Sequence, residues 1–228
     1  MSELSRELQE LYDQVPATRC EQSGECCVLT DAEYDEEYAT MFPLYAAEYL
    51  NIAAYVKTYF SQERAEKLLS FTEERPRKCP FLGLQNQCTI YPVRPLICRT
   101  YAVMKLETIS EAASKSKGNV PEDWIYGFIL RESGMICPRV EVVEPDKLER
   151  HAENLIHSRY ERELTRLSRE TELCDVERRR TFRQASKAKR WPLRWTWGGF
   201  NAICSKPMVW IRSHFTSYWK QAILADGY

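Results

Sequence analysis

The sequence predicts a mainly α-helical, compact domain that carries its chemistry on irregular, cysteine-bearing loops. Three observations predict it. Apolar residues recur at helical spacing over long stretches, most clearly Leu148, Ala152, Leu155, Ile156, Tyr160, Leu164 and Leu167. Glycine is scarce, eight in 228 residues, and no internal repeat is visible. Seven of the nine cysteines form one ordered series, Cys20, Cys26, Cys27, Cys79, Cys88, Cys98 and Cys137, placed at turn-rich points between the helical stretches.

Each element follows from local pattern. Residues 2–14 predict a short amphipathic helix through Leu4, Leu8, Leu11 and Tyr12. Ser23-Gly24 breaks regular structure, so the first cysteines fall in a turn. Residues 31–40 open with Asp and acids, which suit a helix N-terminus. After Pro43, residues 44–69 read as one helix, its tyrosines expected in the core. Residues 76–100 are loop-like, with Pro76, Pro80, Gly83, Pro92 and Pro95. Residues 100–106 suit a short strand or helix, and 110–120 an exposed connection. A helix is expected over 121–133, which opens Pro-Glu-Asp, and a long one over 146–176.

Composition bounds the class. The N-terminus is polar and acidic, with no charged-then-apolar leader, and no apolar run reaches the length of a membrane span. A cytoplasmic, reducing location is expected, where structural disulfides are rare and nine cysteines point to metal or redox chemistry. The net charge of −1 hides an asymmetry. Residues 178–228 hold eleven Lys/Arg and one acid, Asp226, against 21 Lys/Arg and 32 acids before them. Five of the six tryptophans, Trp191, Trp195, Trp197, Trp210 and Trp219, lie in that basic part. The boundary therefore falls between a cysteine-bearing domain, 1–177, and a basic aromatic segment, 178–228. The segment is expected to dock on an acidic surface of the same chain or a second copy. Its cations and rings also suit anionic membrane surfaces or nucleic acid.

Thiolates bind soft or borderline metals, so the cysteine series predicts an iron–sulfur centre, with zinc as the alternative. Structural zinc sites usually use short C-x₂₋₄-C knuckles, and none is present. The wider spacings favour iron–sulfur, although neither the ferredoxin pattern nor C-x₃-C-x₂-C occurs. Arg19, Lys78, Arg94, Arg99 and Arg139 flank the cysteines and would offset the negative charge of such a centre. Adjacent Cys26 and Cys27 point apart on most backbones, so one is expected to bind and the other to pack or serve a separate step. Cys174 and Cys204 lie outside the series and read as small buried hydrophobes. His151, His157 and His214 read as core or surface residues. No Ser/His/Asp order, phosphate loop or dinucleotide motif supports a hydrolase, kinase or nucleotide enzyme.

The series Cys20…Cys26-Cys27, Cys79, then Cys88-Thr-Ile-Tyr91-Pro-Val-Arg94-Pro95-Leu-Ile-Cys98-Arg99, then Cys137-Pro138 resembles the YkgJ-type cysteine-cluster family, over roughly residues 18–140. That resemblance implies a zinc- or iron-chelating domain and little about reaction. Redox, sensing or enzyme-accessory roles follow as expectations. The rivals are a zinc-stabilised interaction module and a metal-dependent oxidoreductase or protein-modifying enzyme, because related flagellin lysine methylases carry such a domain.

Overall fold

The computed structural model describes residues 2–21, 24, 27–28, 31, 44–69, 77–100, 103, 106–115 and 140–173. All but the first residue of the expected helix over 31–40, the expected helix over 121–133, the basic segment 178–228, most of 100–106, and Cys26, Cys137, Cys174 and Cys204 lie outside these residues. The described part is mainly helical, as its apolar spacing predicts. In chain order it comprises α1 (Glu3–Tyr12), β1 (Thr18–Cys20), α2 (Ala46–Tyr59), α3 (Gln62–Leu69), α4 (Leu96–Thr100), α5 (Leu106–Lys115), β2 (Val140–Val142), α6 (Leu148–Ile156) and α7 (Arg159–Leu173).

Helix α1 starts where the Ser2 hydroxyl accepts from Ser5 N at 3.1 Å, and it buries Leu8, Leu11 and Tyr12. It packs on α2 and α7, α2 packs on α7, and α5 packs on α6. These helices enclose one core that contains Leu8, Leu11, Leu96, Ile109, Leu155, Tyr160 and Leu164. A second core gathers Cys27, Ile52, Val56, Cys79, Phe81 and Ile90 under α2 and α3. Cys98 packs against both, so it sits at the seam between them.

Four expectations are corrected. The 44–69 helix is two helices, because Phe60 turns extended and Ser61 restarts the chain, its carbonyl accepting from Ala65 N at 2.8 Å. The 146–176 helix is also two. Ser158 adopts φ +49°, in the left-handed region, with no Gly or Pro to signal it. The apolar stripe survives because α6 and α7 bury their faces in the same core. The 110–120 connection begins inside α5, which buries Ile109, Ala112 and Ala113 at i, i+3 and i+4; its serines and lysine masked that stripe. Finally, Cys20, expected in the first turn, ends a strand instead: Thr18–Cys20 pairs antiparallel with Val140–Val142, in register Thr18↔Val142 and Cys20↔Val140. Strands of three residues carry no alternation long enough to read.

Candidate metal centre

The Cys79–Cys98 stretch is irregular but not unstructured. Gly83 N donates to Gln87 O at 2.8 Å and Thr89 N to Phe81 O at 2.9 Å, which closes a hairpin-like turn with Leu82 bridged to Cys88. Asn86 takes the left-handed conformation, φ +60°, that this tight return requires. Phe81 anchors the turn, fully buried and edge-on to the Phe60 ring. The eight residues between Cys79 and Cys88 therefore fold back, which sets Cys88 opposite Leu82 and within electrostatic reach of Cys79.

Cys27 reaches them from the first cysteine stretch. Cys79 N donates to Cys27 O at 2.7 Å, and Val28 bridges Lys78 in antiparallel sense. Residues 27 and 79 are thus directly opposite across two strand-like segments. The turn before Cys27 rests on Gly24, at φ +75°, whose carbonyl accepts from Cys27 N at 2.9 Å. A Cβ there would approach Asn86 Cβ and Leu82 Cδ1 to 3.3 Å. Gly24→Ala is expected to cost about 1–2 kcal/mol, from left-handed strain plus this contact, read as a lower urea midpoint. An unchanged midpoint would show that the turn relaxes freely.

Cys98 arrives on the short helix α4. The chain before it is laced to itself: Arg99 Nε donates to Arg94 O at 2.8 Å and Arg99 Nη2 to Pro92 O at 2.9 Å. Arg94 lies over the Tyr91 ring at 4.1 Å, and Arg99 over the Tyr12 ring at 4.1 Å. The arginines of the CTIYPVRPLICR run are thereby structural clamps as well as cations beside the cysteines. Arg19 instead pairs with Glu141 at 2.8 Å on an exposed edge, as a surface charge would.

Three other thiols act on Cys79. Burial pushes the Cys79 thiol up, a hydrogen bond from Cys27 opposes this, and the charges of Cys98 and Cys88 raise it further. Cys27 and Cys79 are buried; Cys88 and Cys98 are half-buried. Among the described residues no three Cys, His, Asp or Glu side chains are grouped so as to hold a metal ion. The donor set nevertheless fits a soft or borderline metal: sulfur only, from three chain segments, with Arg99 near Cys98. Cys20 lies in β1, half-buried, opposite Val140. His151 is a core residue hydrogen-bonded to Tyr160 Oη at 2.7 Å, as its sequence reading expects.

Sequence reasoning missed Glu48. Its carboxylate is 1 % exposed and accepts from Leu96 N at 2.7 Å, Tyr12 Oη at 2.9 Å and Tyr45 N at 3.3 Å. Burial pushes its pKa up to about 7, against those three donors and Arg99. The signal was faint: Glu48 stands third in α2, where a capping-box Glu belongs, but the preceding cap is Tyr45 rather than Ser or Thr.

The described part is a mainly helical fold in which Cys27, Cys88 and Cys98 lie within electrostatic or hydrogen-bonding reach of Cys79. Residues 19–118 match the CxxCxxCC family model, described as a putative zinc- or iron-chelating domain. Over those residues the chain is similar to that family, and the zinc- or iron-chelating chemistry its description names agrees with the sulfur donors here. No curated protein and no solved structure matches the chain.

Proposed function

We propose that the chain holds an iron–sulfur centre on Cys27, Cys79, Cys88 and Cys98, with Cys20, Cys26 and Cys137 as the remaining candidates, and serves a redox, sensing or enzyme-accessory role. The observation that carries this reading is Cys79, hydrogen-bonded to Cys27 with Cys88 and Cys98 around it. Sulfur-only donors without short knuckles suit a cluster better than a zinc finger. When bound, such a centre supplies one-electron chemistry. The chain's own residues orient the thiols through the hairpin-like turn, cover them with Phe81 and Ile90, and offset negative charge with Arg99. Zinc is the second reading, named beside iron in the family description.

Anaerobically purified protein is expected to contain iron and acid-labile sulfide, and its visible absorption to bleach on reduction. Stoichiometric zinc without iron in the same preparation overturns the iron–sulfur reading. The basic segment 178–228 is proposed as a contact surface for the acidic remainder of the chain or of a second copy, from its opposite charge and its five tryptophans.

A further inference from the structure

We propose that Glu48 is the positioning residue of the Cys98 thiol: a core carboxylate that fixes the helix carrying this sulfur and so sets the geometry of the metal centre. The proposal rests on the reading that Cys98 is a ligand. A closed ring of contacts carries it. Leu96 N, at the first position of α4, donates to Glu48 Oε1 at 2.7 Å. Tyr12 Oη donates to the same oxygen at 2.9 Å. Arg99, the residue after Cys98, lies over the Tyr12 ring at 4.1 Å. The chain is therefore gripped two residues before Cys98 by Glu48 and one residue after it by Tyr12, and the two grips are bonded to each other.

Helix α4 needs that grip. Five residues form little more than one turn, too short to hold a direction unaided. Leu96 is fully buried, so its N–H, which has no partner inside the helix, would otherwise be an unsatisfied buried donor. The same carboxylate reaches Tyr45 N through Oε2, at 3.3 Å, and so registers the start of α4 against the start of α2. A core selected for stability alone would place an apolar side chain here, since burying a carboxylate is costly. Directional hydrogen bonds explain why a carboxylate occupies the position.

Cobalt(II) titration of the full reduced chain, read by thiolate-to-cobalt charge-transfer absorption, tests the proposal as a double-mutant cycle. Glu48→Ala is expected to weaken cobalt binding by about 10–100-fold, the range for residues that orient metal ligands. Glu48→Gln, whose amide oxygen accepts from both Leu96 N and Tyr12 Oη, is expected to recover most of it. In a Cys98→Ser background, Glu48→Ala should cause no further loss. An equal loss in both backgrounds overturns the proposal, because Glu48 would then act on the fold and not through Cys98. Iodoacetamide labelling of Cys98 in metal-free protein, read by peptide mass, provides a metal-independent arm. Labelling should be faster in Glu48→Ala than in the parent, and an unchanged rate also overturns the proposal. If Glu48→Ala fails to fold, Glu48→Asp, one methylene too short to reach Leu96, replaces it. A parent chain that takes up no cobalt refutes the metal reading instead, and the labelling arm still decides the role of Glu48.

Discussion

Cys79→Ser is expected to abolish metal loading and with it most of the stability of the cysteine-bearing half. Cys79 is hydrogen-bonded to Cys27 and within electrostatic reach of Cys88 and Cys98. Metal binding free energy is also folding free energy, on the order of 10 kcal/mol for structural thiolate sites. That is comparable to the entire net stability of a typical domain, about 5–15 kcal/mol. The substitution also places a hydroxyl in a site only 7 % exposed, at a further cost of about 1–3 kcal/mol if it goes unpaired. Cys98→Ser should lower loading as well, whereas Cys174→Ser and Cys204→Ser should leave it intact. Metal analysis beside urea denaturation, with and without chelator, reads both effects. Full loading in Cys79→Ser, or equal loss in all four variants, would show that the thiols are grouped wrongly.

What could be read from sequence follows the range of the interactions involved. The helices of α1, α6 and α7 show in the chain because their apolar stripes repeat within a few residues. Breaks at Phe60 and Ser158 do not, since each is set by what the next segment packs against: Ser158 turns the chain so that Tyr160 can reach His151 and Gln14 O. The cysteine series marked the site, and Pro92 and Pro95 marked a stiff loop. Where Cys27, Cys79 and Cys88 are placed depends on the hairpin-like return at 81–89 and on the Val28–Lys78 bridge, both pairings between segments without strand patterning. Glu48 was illegible for the same reason. Its partners, Tyr12 and Leu96, lie 36 and 48 residues away, so no local pattern announces them. Arg99 was visible as a cation, but its grip on Pro92 O and Arg94 O emerges only once α4 folds back.

His151→Gln is expected to remove an acid-sensitive term from folding stability. His151 is fully buried. Tyr160 Oη donates to Gln14 O at 3.2 Å, so it accepts from His151 Nδ1 at 2.7 Å and from Asn154 Nδ2 at 3.3 Å. That arrangement fixes the neutral tautomer with the proton on Nδ1 and leaves Nε2 bare and without a partner among the described residues. A second proton would be buried unpaired, and burial lowers the pKa from 6.5 to about 3. Between those values the unfolded chain binds a proton that the folded chain refuses. Stability therefore falls as pH drops below about 6.5, by about 1.4 kcal/mol per unit, reaching about 3 kcal/mol near pH 4. Glu48 acts in the opposite sense. Its pKa rises from 4.5 to about 7 on folding, so the folded chain holds a proton that the unfolded chain has lost. Its contribution is full below about pH 4.5 and declines as pH rises to about 7. The two slopes offset each other between about pH 4.5 and 6.5, and only His151 acts in more acid solution. With His151 replaced, stability should rise on acidification from pH 7 to 4.5 instead of staying level. Urea midpoints of parent and variant, compared at each pH so that common titrations and ligand loss cancel, read the difference directly. A parent-to-variant difference that is flat from pH 7 to 4 would show that His151 takes its second proton without cost in the folded chain.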